Sequence, residues 1–310
     1  MGKMVQYSLW SNCTNHCDFC LIKDHHHYSK KEQIQNIHNI RENINYVDWV
    51  NEFSYGISLL GGEIYYITDK EIQDEFMLLI DDIIEKILKK SQNEFCRYSS
   101  VTNGMYDPSF LFRVVDKIRD EVGINKVDIN FSYDLKYRYH NEESRKLALE
   151  NINKFHERYN YKVGVQMILT QHLINRCKEG SFDIQRFVTE EIPGNILSLL
   201  YPHPVKTGKM LDEFFFNRDD FFWFVNYLKD NCMDTYYNFL YSTKNSGTFK
   251  YTGYLRRRGD EIKKLTQQPT LSDGKEIINT KCGHSELYQC YSDCDECMLC
   301  DLQMIESDLI

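Results

Sequence analysis

Apolar positions along this chain fall into two alternating rhythms, short dense runs and longer stretches spaced three or four apart, and the alternation predicts strands followed by helices. Val5 to Leu9 predicts a first strand, after which Ile34, Ile37, Ile40 and Ile44 recur at helical spacing over about residues 31–44. Tyr55-Gly56-Ile57-Ser58-Leu59-Leu60 predicts a second strand. Thr68 and Glu71 fit a capping box ahead of a helix whose one face carries Ile72, Phe76, Leu79, Ile80, Ile83, Ile84 and Ile87. A third strand, Arg97 to Thr102, ends at Asn103-Gly104, and Asp107-Pro108 supplies an N-cap and a first-turn proline for a helix that stops at Gly123.

Val127 to Ser132 alternates and predicts a fourth strand, Glu142 to Tyr159 a helix, and Lys162 to Leu169 a fifth strand. A helix near Phe182 to Glu191 then precedes a sixth strand at Ile196 to Tyr201. Strand–helix units repeated in this way predict an α/β chain with a parallel sheet. Beyond Pro202 the pattern is looser: one aromatic helix at about 219–230, a strand or hairpin at Thr248 to Leu255, and a Cys-rich tail. The aromatic stretch from Phe214 to Tyr241 suits a core as well as it suits a substrate platform.

Composition narrows the class. At 42% hydrophobic, with 22 Tyr and 18 Phe, the chain has enough apolar surface to fold. The net charge of −9 disfavours extended nucleic acid as a partner, although Arg256, Arg257, Arg258, Lys263 and Lys264 form one local basic cluster. The first residues reach a polar Ser-Asn-Cys stretch before they could supply a signal peptide, and no apolar run is long enough for a bilayer, so a cytoplasmic protein without a membrane partner is expected.

The 11 cysteines change the picture most. They gather at 13–20 and 282–300, with only Cys96, Cys177 and Cys232 between, a distribution suited to metal or cluster ligation rather than to a disulfide framework. Cys13-Thr14-Asn15-His16-Cys17-Asp18-Phe19-Cys20 is C-x3-C-x2-C directly after a predicted strand. Three thiolates from one loop can hold a [4Fe-4S] cubane and leave its fourth iron open to a small molecule, and an open position means chemistry. The same residues could instead hold zinc, completed by His16 or His25, or stand together by chance. The adjacent His25-His26-His27 could meet a substrate or a metal, or form a solvated loop.

The spacing, with an aromatic residue before the last cysteine, resembles the radical S-adenosylmethionine (SAM) superfamily. The resemblance is strengthened by Gly61-Gly62-Glu63 at the end of the second predicted strand, where two glycines let the backbone approach a ligand closely. It implies that Cys13, Cys17 and Cys20 are the catalytic cluster ligands and that Phe19 lies by the adenine of SAM. It further implies that Gly61, Gly62 and Glu63 receive the SAM ammonium. Asn103, Ser132 and Asp134, at the ends of strands three and four, would contact the SAM ribose and carboxylate or the substrate. Gln166, Thr170 and Tyr201 could also face the pocket, or serve packing or turn roles instead. Taken singly, Asn103, Ser132 and Asp134 are equally at home as turn or cap residues. Ile64 stands where the family commonly has Pro.

The resemblance covers residues 5 to 205 and implies a partial (β/α)6 TIM-like barrel over 1–205 with an extension over 206–310. The implied activity is that of an oxidoreductase: reductive cleavage of SAM to a 5′-deoxyadenosyl radical that abstracts hydrogen from a peptide, a protein or a nucleotide-type small molecule. The electron would come from a donor such as flavodoxin or ferredoxin.

In the extension, Cys282, Cys290, Cys294, Cys297 and Cys300 give C-x7-C-x3-C-x2-C-x2-C. Four thiolates suit either a second [4Fe-4S] cluster or a structural zinc, and five cysteines with His284 exceed four ligands. The tail resembles the SPASM and twitch auxiliary-cluster extensions, although its spacing departs from the SPASM pattern. The contrasting reading of the whole chain is a non-enzymatic zinc-binding α/β interaction module, which has no use for Gly61-Gly62-Glu63.

Overall fold

Six parallel strands lie side by side in chain order: β1 (Met4–Ser8), β2 (Gly56–Leu60), β3 (Arg97–Thr102), β4 (Val127–Tyr133), β5 (Gly164–Ile168) and β6 (Ile196–Leu200). A seventh, β7 (Tyr254–Arg258), pairs in parallel with the free side of β1. The structure is a computed structural model that describes residues 4–15, 17, 20, 26–46, 55–139, 141–200, 216, 218–239 and 254–258. The tail cysteines Cys282, Cys290, Cys294, Cys297 and Cys300 lie outside the described residues, as do Phe19, His16, His25 and Tyr201.

The connections are helical: α1 (Lys30–Tyr46), α2 (Lys70–Ile83, continued by a π-helical turn Ile84–Leu88), α3 (Ser109–Val122), α4 (Glu142–Tyr159), α5 (Gln171–Lys178), α6 (Ile184–Arg186, continued by a π-helical turn Phe187–Glu191) and α7 (Arg218–Asn231). Right-handed crossovers between strands placed in sequential order put the described helices that connect β1 to β6 on the same face of the sheet, the arrangement of a partial (β/α)6 barrel. Side-chain burial follows this rule. Tyr7, Leu59, Tyr98, Phe131, Met167 and Leu199 are at most 1% exposed, whereas the alternate residues Asp128, Asn130, Ser132, Gln166 and Ser198 are only half-buried. Ser132, Gln166 and Ser198 are register partners, so a polar row crosses the face turned away from the described helices, late in β4 and midway along β5 and β6.

Local signals explain the element ends and correct three expectations. Asp69, not Thr68, caps α2: its carboxylate accepts from the backbone N–H of Glu71 and of Ile72. The reciprocal pair of a capping box stands instead at α1, where Ser29 N donates to Glu32 Oε2 (2.7 Å) and Glu32 N to Ser29 Oγ (3.4 Å). At α3, Pro108 occupies the cap position while Asp107 Oδ1 accepts from Ser109 N at 3.1 Å, one position earlier than the N-cap expected of it. The short helix α5 is not anticipated in the hydrophobic pattern. Thr170, a candidate for the pocket, is its N-cap, with Oγ1 accepting from Leu173 N at 3.2 Å.

After β6, the apolar face of α7 (Phe221, Phe224, Val225, Leu228) is buried in the same core as the strands, and α7 packs on α5, with Gln171 Nε2 donating to Asp220 Oδ2 at 2.7 Å. Of the aromatic stretch, Phe216, Phe221, Phe224, Tyr236 and Phe239 are core, while Trp223 and Tyr237 are exposed. Among the described residues, no helix is long and apolar enough to cross a membrane.

Candidate functional site

Because all the strands are parallel, their C-terminal ends share one edge of the sheet, and the loops leaving that edge converge. The loop after β1 carries Cys13, Cys17 and Cys20. Its base is clamped: Asn12 Nδ2 donates to Tyr28 O (2.8 Å) and Asn12 Oδ1 accepts from Tyr28 N (2.7 Å). Ser11 Oγ donates to His26 O, and Asn36 of α1 donates through Nδ2 to Leu9 O. The cysteine segment therefore leaves and rejoins a fixed frame. His26 is exposed and pairs with Glu32 at 3.0 Å on that frame's outer side.

The β2 loop is laced to this frame through the backbone. Leu9 N donates to Leu60 O (2.8 Å), Gly62 N to Trp10 O (2.7 Å) and Glu63 N to Asn12 O (2.8 Å). The approach accounts for both glycines. A Cβ at Gly62 would meet the carbonyl oxygens of Asn12 and, at 2.6 Å, of Ser11, and one at Gly61 would meet that of Trp10. These are backbone atoms in a bonded ladder and cannot give way.

Glu63 points away from this seam and into the protein. It is 2% exposed, and its carboxylate accepts from Asn103 N (2.7 Å, Oε2), Thr102 Oγ1 (3.0 Å, Oε1) and Tyr65 N (3.3 Å, Oε1). The carboxylate that the family resemblance assigns to an ammonium thus fastens the end of β3 to the β2 loop. Burial pushes Glu63 up to about 7, against the pull of those donors. Tyr65 extends the link through its hydroxyl to Tyr98 (2.7 Å) and Ser100 on β3.

Asn103 brings β3 to the cysteines. While its backbone N–H is held by Glu63, its Nδ2 stands 3.8 Å from Cys13 Sγ and its Oδ1 accepts from Met105 N at 2.9 Å. From the loop after β4, Arg138 Nη1 stands 3.9 Å from Cys17 Sγ. That residue is not marked by any motif, because its nearness to Cys17 depends on two loops that are 121 positions apart. Asp134, 3% exposed, turns Oδ1 onto its own loop, accepting from Lys136 N at 2.7 Å and from Tyr137 N. It serves there as a turn residue, and burial raises its carboxyl above the usual range. Ser132 and Gln166 sit together in the polar row beneath.

The cysteines of this loop are free thiols. Burial pushes Cys17 up to about 11 and raises Cys13, while the Arg138 guanidinium pulls both down. Among the described residues, no three Cys, His, Asp or Glu side chains converge on one point as they would around a single metal ion. A cubane does not ask for that convergence, since each thiolate binds its own iron.

No protein family and no curated protein matches the chain in sequence. Among solved structures, SuiB from Streptococcus suis aligns at 13% identity and a TM-score of 0.47, over 74% of this chain and 47% of SuiB. SuiB bound to S-adenosylmethionine aligns at 12% and 0.47, over 74% of this chain and 48% of that one. BtrN in an open conformation aligns at 13% and 0.27, over 43% and 50%. This chain thus spans about half the length of the structures it matches.

Proposed function

We propose that this chain is a radical SAM enzyme in which Cys13, Cys17 and Cys20 hold a [4Fe-4S] cluster. The observation that carries the reading is the convergence of three strand ends on one cysteine loop. The glycines after β2 are laced to the loop's base, and Asn103 after β3 stands against Cys13. The donor set fits the group: three free thiols on one short loop, with N–H groups of Asn15, Asn103 and Arg138 directed at sulfur, suit thiolates bound to iron. Bound there, the cluster supplies the electron that cleaves SAM to methionine and a 5′-deoxyadenosyl radical, which takes a hydrogen atom from the substrate.

The chain's own part is to bind, orient and exclude water. Gly61 and Gly62 keep side chains out of the seam between the β2 loop and the cysteine loop, so that the two loops lie directly against one another beside the position of the SAM amino acid end. Glu63 fixes the β3 end from behind, so that Asn103 holds its place beside Cys13. Ser132 and Gln166 on the face turned away from the described helices, with Asp134 at the strand end above, supply polar groups for the ribose, the carboxylate or the substrate. In the family that the loop resembles, the position of Phe19 lies by the adenine of SAM. The substrate is a peptide, a protein or a nucleotide-type small molecule, and the electron donor is of the flavodoxin or ferredoxin kind. In the extension, four thiolates from among Cys282, Cys290, Cys294, Cys297 and Cys300 would hold a second [4Fe-4S] cluster, with a structural zinc as the alternative.

Anaerobic reconstitution with iron and sulfide tests the ligand set against zinc. The full chain is expected to turn brown, with broad visible absorption, and Cys17→Ala to lose the share of iron belonging to the loop. A colourless chain that retains only zinc would support the interaction-module reading instead.

A further inference from the structure

We infer that Arg138 sets the reduction potential of the cluster held by Cys13, Cys17 and Cys20, an inference that rests on the radical SAM reading above. The potential of an iron–sulfur cluster is governed by the net charge around it and by hydrogen bonds to its sulfurs. Among the described residues, two of the three such donors come from outside the cysteine motif. Arg138 Nη1 lies 3.9 Å from Cys17 Sγ, Asn103 Nδ2 lies 3.8 Å from Cys13 Sγ, and Asn15 N lies 3.4 Å from the same Cys13 sulfur. Only the first carries a full charge.

The surroundings make that charge count. Cys17 is 5% exposed, so water screens it little. Among the described residues, the titratable groups that act most strongly on Cys17 are Arg138, the two other cysteines of the loop and Asp134, and of these Arg138 is the positive one. Glu63 adds a further negative influence at Cys13. On reduction, one electron passes from a low-potential donor to the cluster and no atom is transferred. The negative charge gained is offset by Arg138, so the guanidinium favours the reduced form and raises the potential. Arg138 is a positioning and tuning residue in this scheme, acting through Cys17.

The test is a redox titration with dithionite on the full, reconstituted chain, followed by the electron paramagnetic resonance signal that Cys17→Ala abolishes. Arg138→Gln is expected to lower the reduced-to-oxidised ratio at a fixed potential roughly tenfold, a downward shift of about 59 mV for a one-electron couple. Arg138→Lys keeps the charge and is expected to fall between the two. Should Arg138→Gln fail to hold a cluster, the lysine variant decides, through a lowered midpoint that is shifted by less than tenfold. A midpoint unchanged in both variants, or raised in either, overturns the inference while leaving the cluster assignment intact. A wild-type chain with no signal that depends on Cys17 overturns the assignment and the inference together.

Discussion

Glu63 offers a quantitative check on the seam between β2 and β3, because a buried carboxylate leaves a signature in the pH dependence of stability. Its carboxyl shifts from 4.5 to about 7 in the folded protein, burial being the main cause. Each tenfold change in proton affinity is worth about 1.4 kcal/mol, so the fully ionised folded protein is disfavoured by about 3 kcal/mol relative to one with a normal carboxyl. The sign follows from proton binding. Above pH 4.5 the unfolded chain releases this proton while the folded chain keeps it, so stability is full at low pH and is lost as pH rises through about 7.

Glu63→Gln removes the titration but sets an amide N–H₂ against the donors Asn103 N or Thr102 Oγ1, at a cost of roughly 1–3 kcal/mol that does not vary with pH. The metal-free full chain and the variant are to be unfolded in urea at several pH values, with the stability difference plotted against pH so that all other titrations cancel. Glutamine is expected to be the less stable at about pH 5 and to gain roughly 2–3 kcal/mol on the wild type by about pH 8. A difference that stays flat across that range would refute the burial of Glu63 between the β2 loop and the end of β3.

Three further substitutions probe neighbouring joints. Gly62→Ala forces a methyl group against the carbonyls of Asn12 and Ser11, and is expected to cost at least about 2 kcal/mol in urea unfolding and to abolish SAM binding measured by calorimetry. Asp69→Ala should lower stability by about 1 kcal/mol through loss of the α2 cap, whereas Thr68→Ala should leave it within about 0.5 kcal/mol of wild type, both read in urea unfolding.

The legible parts of this protein are those whose signals are local. The strand Arg97–Thr102 and the helix Glu142–Tyr159 match their expected bounds, because their apolar periods are clean and their ends are marked by Asn103-Gly104 and by the cap Asn141. The π-helical turn Ile84–Leu88 keeps Ile84 and Ile87 buried, so the apolar face continues past the end of regular α-helix without a visible break. The eight-residue α5 escapes notice because only Leu173, Ile174 and Cys177 mark its buried face, too few for a periodic signal.

At the site, the cysteine spacing and the glycine pair can be read in the sequence, since each is contiguous. The direction of Glu63 and the reach of Arg138 cannot, because they depend on pairs 40 and 121 positions apart that only the parallel sheet brings together. The polar row of Ser132, Gln166 and Ser198 lies between these cases. Its members alternate visibly along their strands, but their alignment needs the register.

The most direct measurement is the yield of 5′-deoxyadenosine when the anaerobically reconstituted full chain is mixed with SAM and dithionite. The wild-type chain is expected to form 5′-deoxyadenosine together with methionine, and Cys17→Ala, which deletes a thiolate of the loop, to form none above the protein-free control. Equal yields from the two proteins, or no product from a brown and cluster-loaded wild type, would contradict the account.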